Sequence, residues 1–187
     1  MRMRAEDCTL FSGGANGAEA EFGAMAERYG VEEVNFTFDG HNPVRRRGIR
    51  VLTSFELKQG DVSLAYASKL MHRKYPDTPL FRKVLQSIFH QVNNGREIYL
   101  VGKIQPDDTV KGGTGWGVEL AKLFNRPVSV FDQGRAAWFA WSEGRWTPVT
   151  PTIRLDTFAA TGTRNLGAEG REAIEQLFHR SFGAPPA

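Results

Sequence analysis

Two hydrophobic spacings alternate along this chain. Short apolar or β-branched runs predict strands at Thr9–Phe11, Val34–Phe38, Glu97–Val101, Pro127–Phe131 and Thr157–Ala160. Between them apolar residues return every three to four positions, the helical spacing. Phe22, Met25 and Ala26 mark a helix over Ala18–Tyr29 that stops at Gly30. The longest stripe runs through Leu80, Phe81, Val84, Leu85, Ile88, Phe89 and Val92 and predicts a helix over Leu80–Val92. Gly115–Phe124 and Ala168–Phe178 read as helices too. Ser54 can cap another from Phe55 onward, broken near Gly60, restarting after Asp61 and running to Lys74. Val44–Val51 reads as irregular, and Trp138–Trp141 with Trp146–Val149 reads as a hairpin across Ser142–Arg145. Strands alternating with helices predict one α/β domain over residues 1–187. It is a Rossmann-like three-layer sandwich on a mostly parallel sheet, with a small Trp-rich hairpin added.

Three glycine-rich turns sit where a strand hands over to a helix. They are Ser12-Gly13-Gly14-Ala15-Asn16-Gly17, Gly112-Gly113-Thr114-Gly115 and Gly162-Thr163-Arg164. If the strands are parallel, all three open on the same sheet edge, where helix N-termini and bare N–H groups meet ligands. An anionic ligand follows from that chemistry, a nucleotide being the commonest. The competing reading of each turn is tight strand–helix packing.

Composition narrows the picture only a little. A net charge of +3 favours anionic partners without demanding nucleic acid, and there is no aromatic–basic stripe of the single-strand-binding kind. The lone Cys8 excludes an internal disulfide and any Cys-rich metal site, which suits a reducing cytoplasm, and it reads as a buried, inert thiol. No metal-ligand spacing is present, so neither a metal nor another cofactor is expected. The start, MRMRAEDC, has no apolar run behind it, so no signal peptide is expected. No stretch approaches the roughly 20 apolar residues of a membrane span.

The motifs carry a resemblance. Ser12 to Glu19 resembles the S-G-x-A-x-G-x-D turn of the DNA-processing protein A (Smf) family. Phe158 to Arg164, followed by Gly167 to Glu172, resembles that family's G-S-R turn and the helix behind it. Gly112 to Glu119 resembles the G-G-x-G-T-x-x-E turn of the LOG family. Both families belong to the SLOG superfamily of Rossmann-like nucleotide-binding domains. Here the G-T-R unit comes last and the S-G-G-A-N-G unit first, the reverse of the Smf order, which looks like a circular permutation. It implies the spatial strand order Val34, Thr9, Thr157, Glu97, Pro127. The LOG resemblance implies that Glu119 acts in cleaving the N-glycosidic bond of a nucleotide, and that the site lies at a dimer interface. Two departures stand out. Trp116 replaces the family's Thr, and Ser87 lies near the place of the family's helix Arg, with Arg82 and Lys83 more than a turn earlier.

The residues themselves leave alternatives open. Glu119 can stabilise a ribosyl cation or simply sit on an exposed helix face. Arg164 can grip a phosphate bidentately or join a structural ion pair with Glu169. Trp116 can stack on a base or fill a pocket. Asn16 and Glu19 can cap a helix or touch a ribose hydroxyl. His41, beside Asp39 at a strand end, can bind ligand or serve as a surface residue. Arg45, Arg46 and Arg47 can be a solvated loop or reach phosphates. Three functions follow: a nucleotide N-glycosidase working without a cofactor, a non-enzymatic sensor of a nucleotide or nucleotide-sugar, and a single-stranded DNA binder. A homo-oligomer is expected, with the Leu80–Val92 stripe serving both core and partner.

Overall fold

The computed structural model describes residues 3–187; Met1 and Arg2 lie outside the described residues. A 3-10 turn, Ala5–Asp7, leads into β1 (Thr9–Ser12), α1 (Ala18–Tyr29), β2 (Glu32–Thr37) and β3 (Ile49–Val51). Then come α2 (Ser54–Lys58), α3 (Asp61–Leu70), α4 (Pro79–Asn94), β4 (Glu97–Gly102) and α5 (Gly112–Leu123). The chain closes with β5 (Val128–Asp132), β6 (Ala137–Ser142), β7 (Arg145–Pro148), β8 (Thr157–Gly162) and α6 (Ala168–Phe182).

The strands form one eight-stranded sheet in the order β3-β2-β1-β8-β4-β5-β6-β7. The first six in that order are parallel, and β6 and β7 add antiparallel at one edge. β8, last in sequence, is central: Thr9 pairs with Thr157 on one side and Ile98 with Ala159 on the other. The strand order expected from the permuted motifs is therefore the one observed. β4 is buried at all six positions, as a central parallel strand covered on both faces must be.

Two helical layers supply that cover. On one face α1 and α6 pack Phe22, Ile174, Leu177 and Phe178 onto Leu10, Phe158, Tyr99 and Phe131. On the other, α3, α4 and α5 pack Leu64, Leu85, Ile88, Trp116 and Leu120 onto Ile98, Leu100 and Val130. Burying apolar surface on both faces at about 25 cal/mol per Å² is what holds the layers together. Cys8 lies in the first core, and burial pushes its thiol pKa up to about 11, so it is inert.

Local chemistry moves several boundaries. Thr53, not Ser54, caps α2: its hydroxyl accepts from the Glu56 N–H at 3.2 Å while the Glu56 carboxylate accepts from the Thr53 N–H at 2.7 Å. α3 ends at Leu70 rather than Lys74, because His72 turns into the left-handed region (φ 54°). Residues 49–51, read as irregular, pair with β2 as a three-residue edge strand. Glu143 and Gly144, both at positive φ, make the tight turn of the Trp hairpin, which extends the main sheet instead of standing apart.

Candidate functional site

The C-terminal ends of the parallel strands surround a cavity of about 690 Å³. Its walls come from the turns after β1, β2, β4, β5 and β8, and from one side of α4. Ligands bind at this edge of open α/β sheets because the loops there diverge and helix N-termini face inward. One wall is apolar: Leu80, Phe81, Val84 and Ile88 of α4. The lining also carries Lys103, Lys111 and Arg164, none with an ion-pair partner among the described residues.

The three glycine turns do different jobs there. The second is open to ligand. No side chain caps α5, so the N–H groups of its first turn, Gly112 to Thr114, face the cavity without an internal acceptor from a cap. The glycines are the first turn of α5 itself and do not precede it, because the Lys111 backbone takes the cap position. Gly112 adopts φ 71° with nothing within 4 Å of where a Cβ would stand.

The first turn is spent inside the protein. Glu19 is buried beneath it. Its carboxyl oxygens accept from the Thr161 hydroxyl at 2.9 Å, the Ala15 N–H at 3.4 Å, the Gly13 N–H and the Gln91 amide. Burial raises its pKa, and those four donors oppose the rise. Glu19 thus ties the β1 turn, β8 and α4 together as the cavity floor. Gly17 lies against the backbone of Thr163 and Arg164, and the Ala18 N–H donates to the Thr163 carbonyl at 2.9 Å. Gly14, at φ 70°, faces the Arg45 carbonyl, 2.5 Å from where a Cβ would stand. These glycines are set by backbone packing.

The third turn brings Gly162, Thr163 and Arg164 to the rim. Arg164 is exposed and makes no ion pair with Glu169. Its charge, after burial, helps to lower the pKa of His41, whose ring stacks on Phe38 (centroids 4.8 Å apart) and whose Nδ1 lies 2.8 Å from the Thr37 hydroxyl.

Of the residues singled out from sequence, the cavity brings together Gly13, Glu19, His41, Gly112, Gly113, Thr114, Gly162, Thr163 and Arg164. Ser12, Gly14, Asn16, Gly17, Gly115, Trp116 and Glu119 do not line it. Ser12 is buried and donates to the Ala160 carbonyl at 2.6 Å, and Asn16 faces solvent. Gly115 packs under the Val110 carbonyl, and Trp116 is buried against Tyr75. Glu119 lies two turns into α5. It accepts from Lys122 at 3.1 Å, and Lys122 in turn sits 3.5 Å from the centre of the Trp141 ring. That cluster lies under the hairpin, away from the glycine turns, so the geometry offers Glu119 no contact with a ligand in the cavity. Arg45 is not a free phosphate reader either; it holds Glu33 at 2.5 Å and Glu27 at 2.6 Å.

Sequence reading passed over Lys103, Lys111, Gln133 and the polar face of α4. Lys103 is placed by neighbours: the Lys111 N–H donates to its carbonyl at 2.9 Å, and the next residue's N–H donates to buried Asp132 at 3.1 Å. The signal for α4 was present. Ser87 and Gln91 interrupt the stripe at i, i+4, alongside Val84 and Ile88, and such polar interruptions mark a face that looks onto a cavity.

No family model matches the chain, and no curated protein matches its sequence. Among solved structures, it is similar to a "putative molybdenum carrier protein" from Syntrophus aciditrophicus SB. The TM-score is 0.57 at 12% identity, covering 97% of this chain and 98% of that one. At that identity the likeness is one of fold: an α/β sandwich of this size and strand arrangement.

Proposed function

We propose that this is a SLOG-type domain that binds a phosphorylated nucleotide or nucleotide-sugar in the cavity and does not hydrolyse it. The observation that carries the reading is one cavity that gathers an uncapped helix N-terminus, cations without an ion-pair partner among the described residues, and an apolar wall. Phosphate suits Gly112 to Thr114 with Lys103, Lys111 and Arg164, since N–H groups and cations there give charge-assisted hydrogen bonds. A base suits the Leu80, Phe81, Val84 and Ile88 wall, where Phe81 is 41% exposed. The volume is ample, because small-ligand sites run to about 300–1,000 Å³.

Binding is favoured over N-glycosidic hydrolysis for a specific reason. Glu119 pairs with Lys122 outside the cavity. Glu19 is the one carboxyl on the cavity wall among the described residues, and it already accepts from four donors. A general base or cation stabiliser must reach the reacting ribose, and a saturated floor residue has no lone pair to spare. Single-stranded DNA finds little support from the arginine run, since Arg45 and Arg47 are held by Glu33.

The test is a screen of thermal shift and product release against nucleoside monophosphates, nucleotide-sugars and oligonucleotides. The neighbour's name adds molybdate as a small-anion arm. A stabilising shift with nucleotides and no free base by chromatography supports the reading. Free base released would return it to the hydrolase class, and a shift with molybdate or oligonucleotide alone would replace the ligand class.

A further inference from the structure

A second cleft, of about 360 Å³, adjoins the cavity and shares three of its residues, Phe81, Lys111 and Gly112. The partition between the two is thus one aromatic ring and one stretch of backbone at the start of α5. Gly112 presents no side chain there, and nothing stands within 4 Å of its Cβ direction. A ligand lying on the glycine turn can cross that low ridge.

The chemistry beyond the ridge matches what lies before it. The cleft is lined by Arg73, Lys74, Pro76, Gln105 and Trp116 besides the shared residues. Its charged lining is cationic. Two carboxylates stand close by outside the lining: Asp77, which pairs with Lys74 at 2.6 Å, and Asp107, whose pKa is lowered first by its bonds from Thr109 and least by Arg73. Arg73 also fixes the ridge. Its guanidinium donates to the carbonyls of Val110 at 2.9 Å and Gly112 at 3.2 Å, to Gln105 Oε1 at 2.9 Å and to Thr109 Oγ1 at 3.2 Å. One rigid cation therefore stabilises a bare backbone turn with Lys111 on top, between two hollows that each combine positive charge with apolar wall.

Resting on the nucleotide reading above, we infer that the ligand is two-ended: a diphosphate-linked nucleotide whose phosphates straddle the Lys111–Gly112 ridge, with its distal group in the second cleft. Phe81 is the wall common to both ends, and Lys111 is the cation common to both phosphates.

Calorimetry with the full chain tests this, using AMP, ADP and ADP-ribose as probes of increasing reach. ADP-ribose should bind at least tenfold more tightly than AMP, with ADP between them, since each added charge-assisted contact is worth about that much. Lys74→Glu reverses a charge at an exposed cleft residue whose one ion pair among the described residues is with Asp77, so the fold should survive, which its melting curve checks. It should erase most of the ADP-ribose advantage while AMP affinity stays within twofold. Lys111→Ala should weaken all three. Equal affinity for AMP and ADP-ribose in the wild type overturns the two-ended ligand while leaving the nucleotide reading standing. An ADP-ribose advantage untouched by Lys74→Glu removes the second cleft from the site. No binding of any of the three overturns both.

Discussion

Substituting Gly113 should separate stability from binding, in opposite directions. Gly113 is the second residue of α5, its φ is not positive, and a Cβ there would meet only Phe81 Cε2 at 3.7 Å and Leu85 Cδ2 at 4.0 Å. Those are ordinary van der Waals contacts, so Gly113→Ala fits without strain. Removing backbone freedom from the unfolded chain stabilises by about 0.4–1 kcal/mol where the native conformation is compatible. For a chain of this size that raises Tm by roughly 1–4 °C. The same methyl stands between the turn and the Phe81 ring, where a phosphate would approach the N–H groups. Losing one hydrogen bond to a charged group costs about 1.5–3 kcal/mol, or roughly 10- to 150-fold in Kd. Gly113→Val fills more of that gap and should take binding below detection. The assays are a calorimetric melt and a titration with the tightest nucleotide from the screen. A Gly113→Ala protein that binds as wild type refutes the placement of phosphate on this turn. One that melts well below wild type refutes the packing argument.

Gly14→Val, by contrast, should fail to fold stably, because φ is 70° and a Cβ would press on the Arg45 carbonyl; chemical denaturation should show a loss above 1 kcal/mol. Glu119→Gln should leave nucleotide affinity within twofold by calorimetry, since the residue pairs with Lys122 outside the cavity; a tenfold change would restore it to the site. His41 should titrate below its ordinary 6.5 in an NMR pH series, because burial and Arg164 disfavour the imidazolium. With the folded pKa depressed, its contribution to stability is present above pH 6.5 and lost as pH falls through the folded value. Val62, Tyr66 and Leu70 form an exposed stripe along α3, at 84%, 52% and 46% exposure. We propose this stripe, rather than the Leu80–Val92 stripe named from sequence, as the face of a homo-oligomer, so Tyr66→Glu should lower the mass seen by light scattering at micromolar concentration, and a wild type that is already monomeric would dismiss the association.

The sheet order was readable from sequence because each glycine turn marks a strand end, and the permuted motifs place Thr157 beside Thr9 and Glu97. Edge strand β3 was not, since three residues that include exposed Arg50 and Val51 carry no alternation. The site was half readable. Backbone turns announce themselves through glycine, but what each turn binds depends on neighbours far away in sequence. Gly13 looks like a phosphate turn until Glu19 is seen taking its N–H. Glu119 keeps the place its motif gives it, yet it sits two turns into α5 and off the cavity lining, where Lys122, itself over the Trp141 ring, donates to it. The Leu80–Val92 stripe was read as core and partner surface. Its Leu85, Ile88 and Val92 are core as read, while Val84, Ser87, Ile88 and Gln91 also line the cavity, a role the stripe alone did not announce.

The central claim is that the cavity recognises a phosphate on the α5 turn together with a base. Titrating the wild type calorimetrically with a nucleoside and with its 5′-monophosphate, at low and at 0.5 M salt, tests it most directly. The account predicts that the nucleotide binds at least about tenfold more tightly than the nucleoside, and that salt shrinks the difference by screening Lys103, Lys111 and Arg164. Equal affinity for the two, or a difference indifferent to salt, would contradict it.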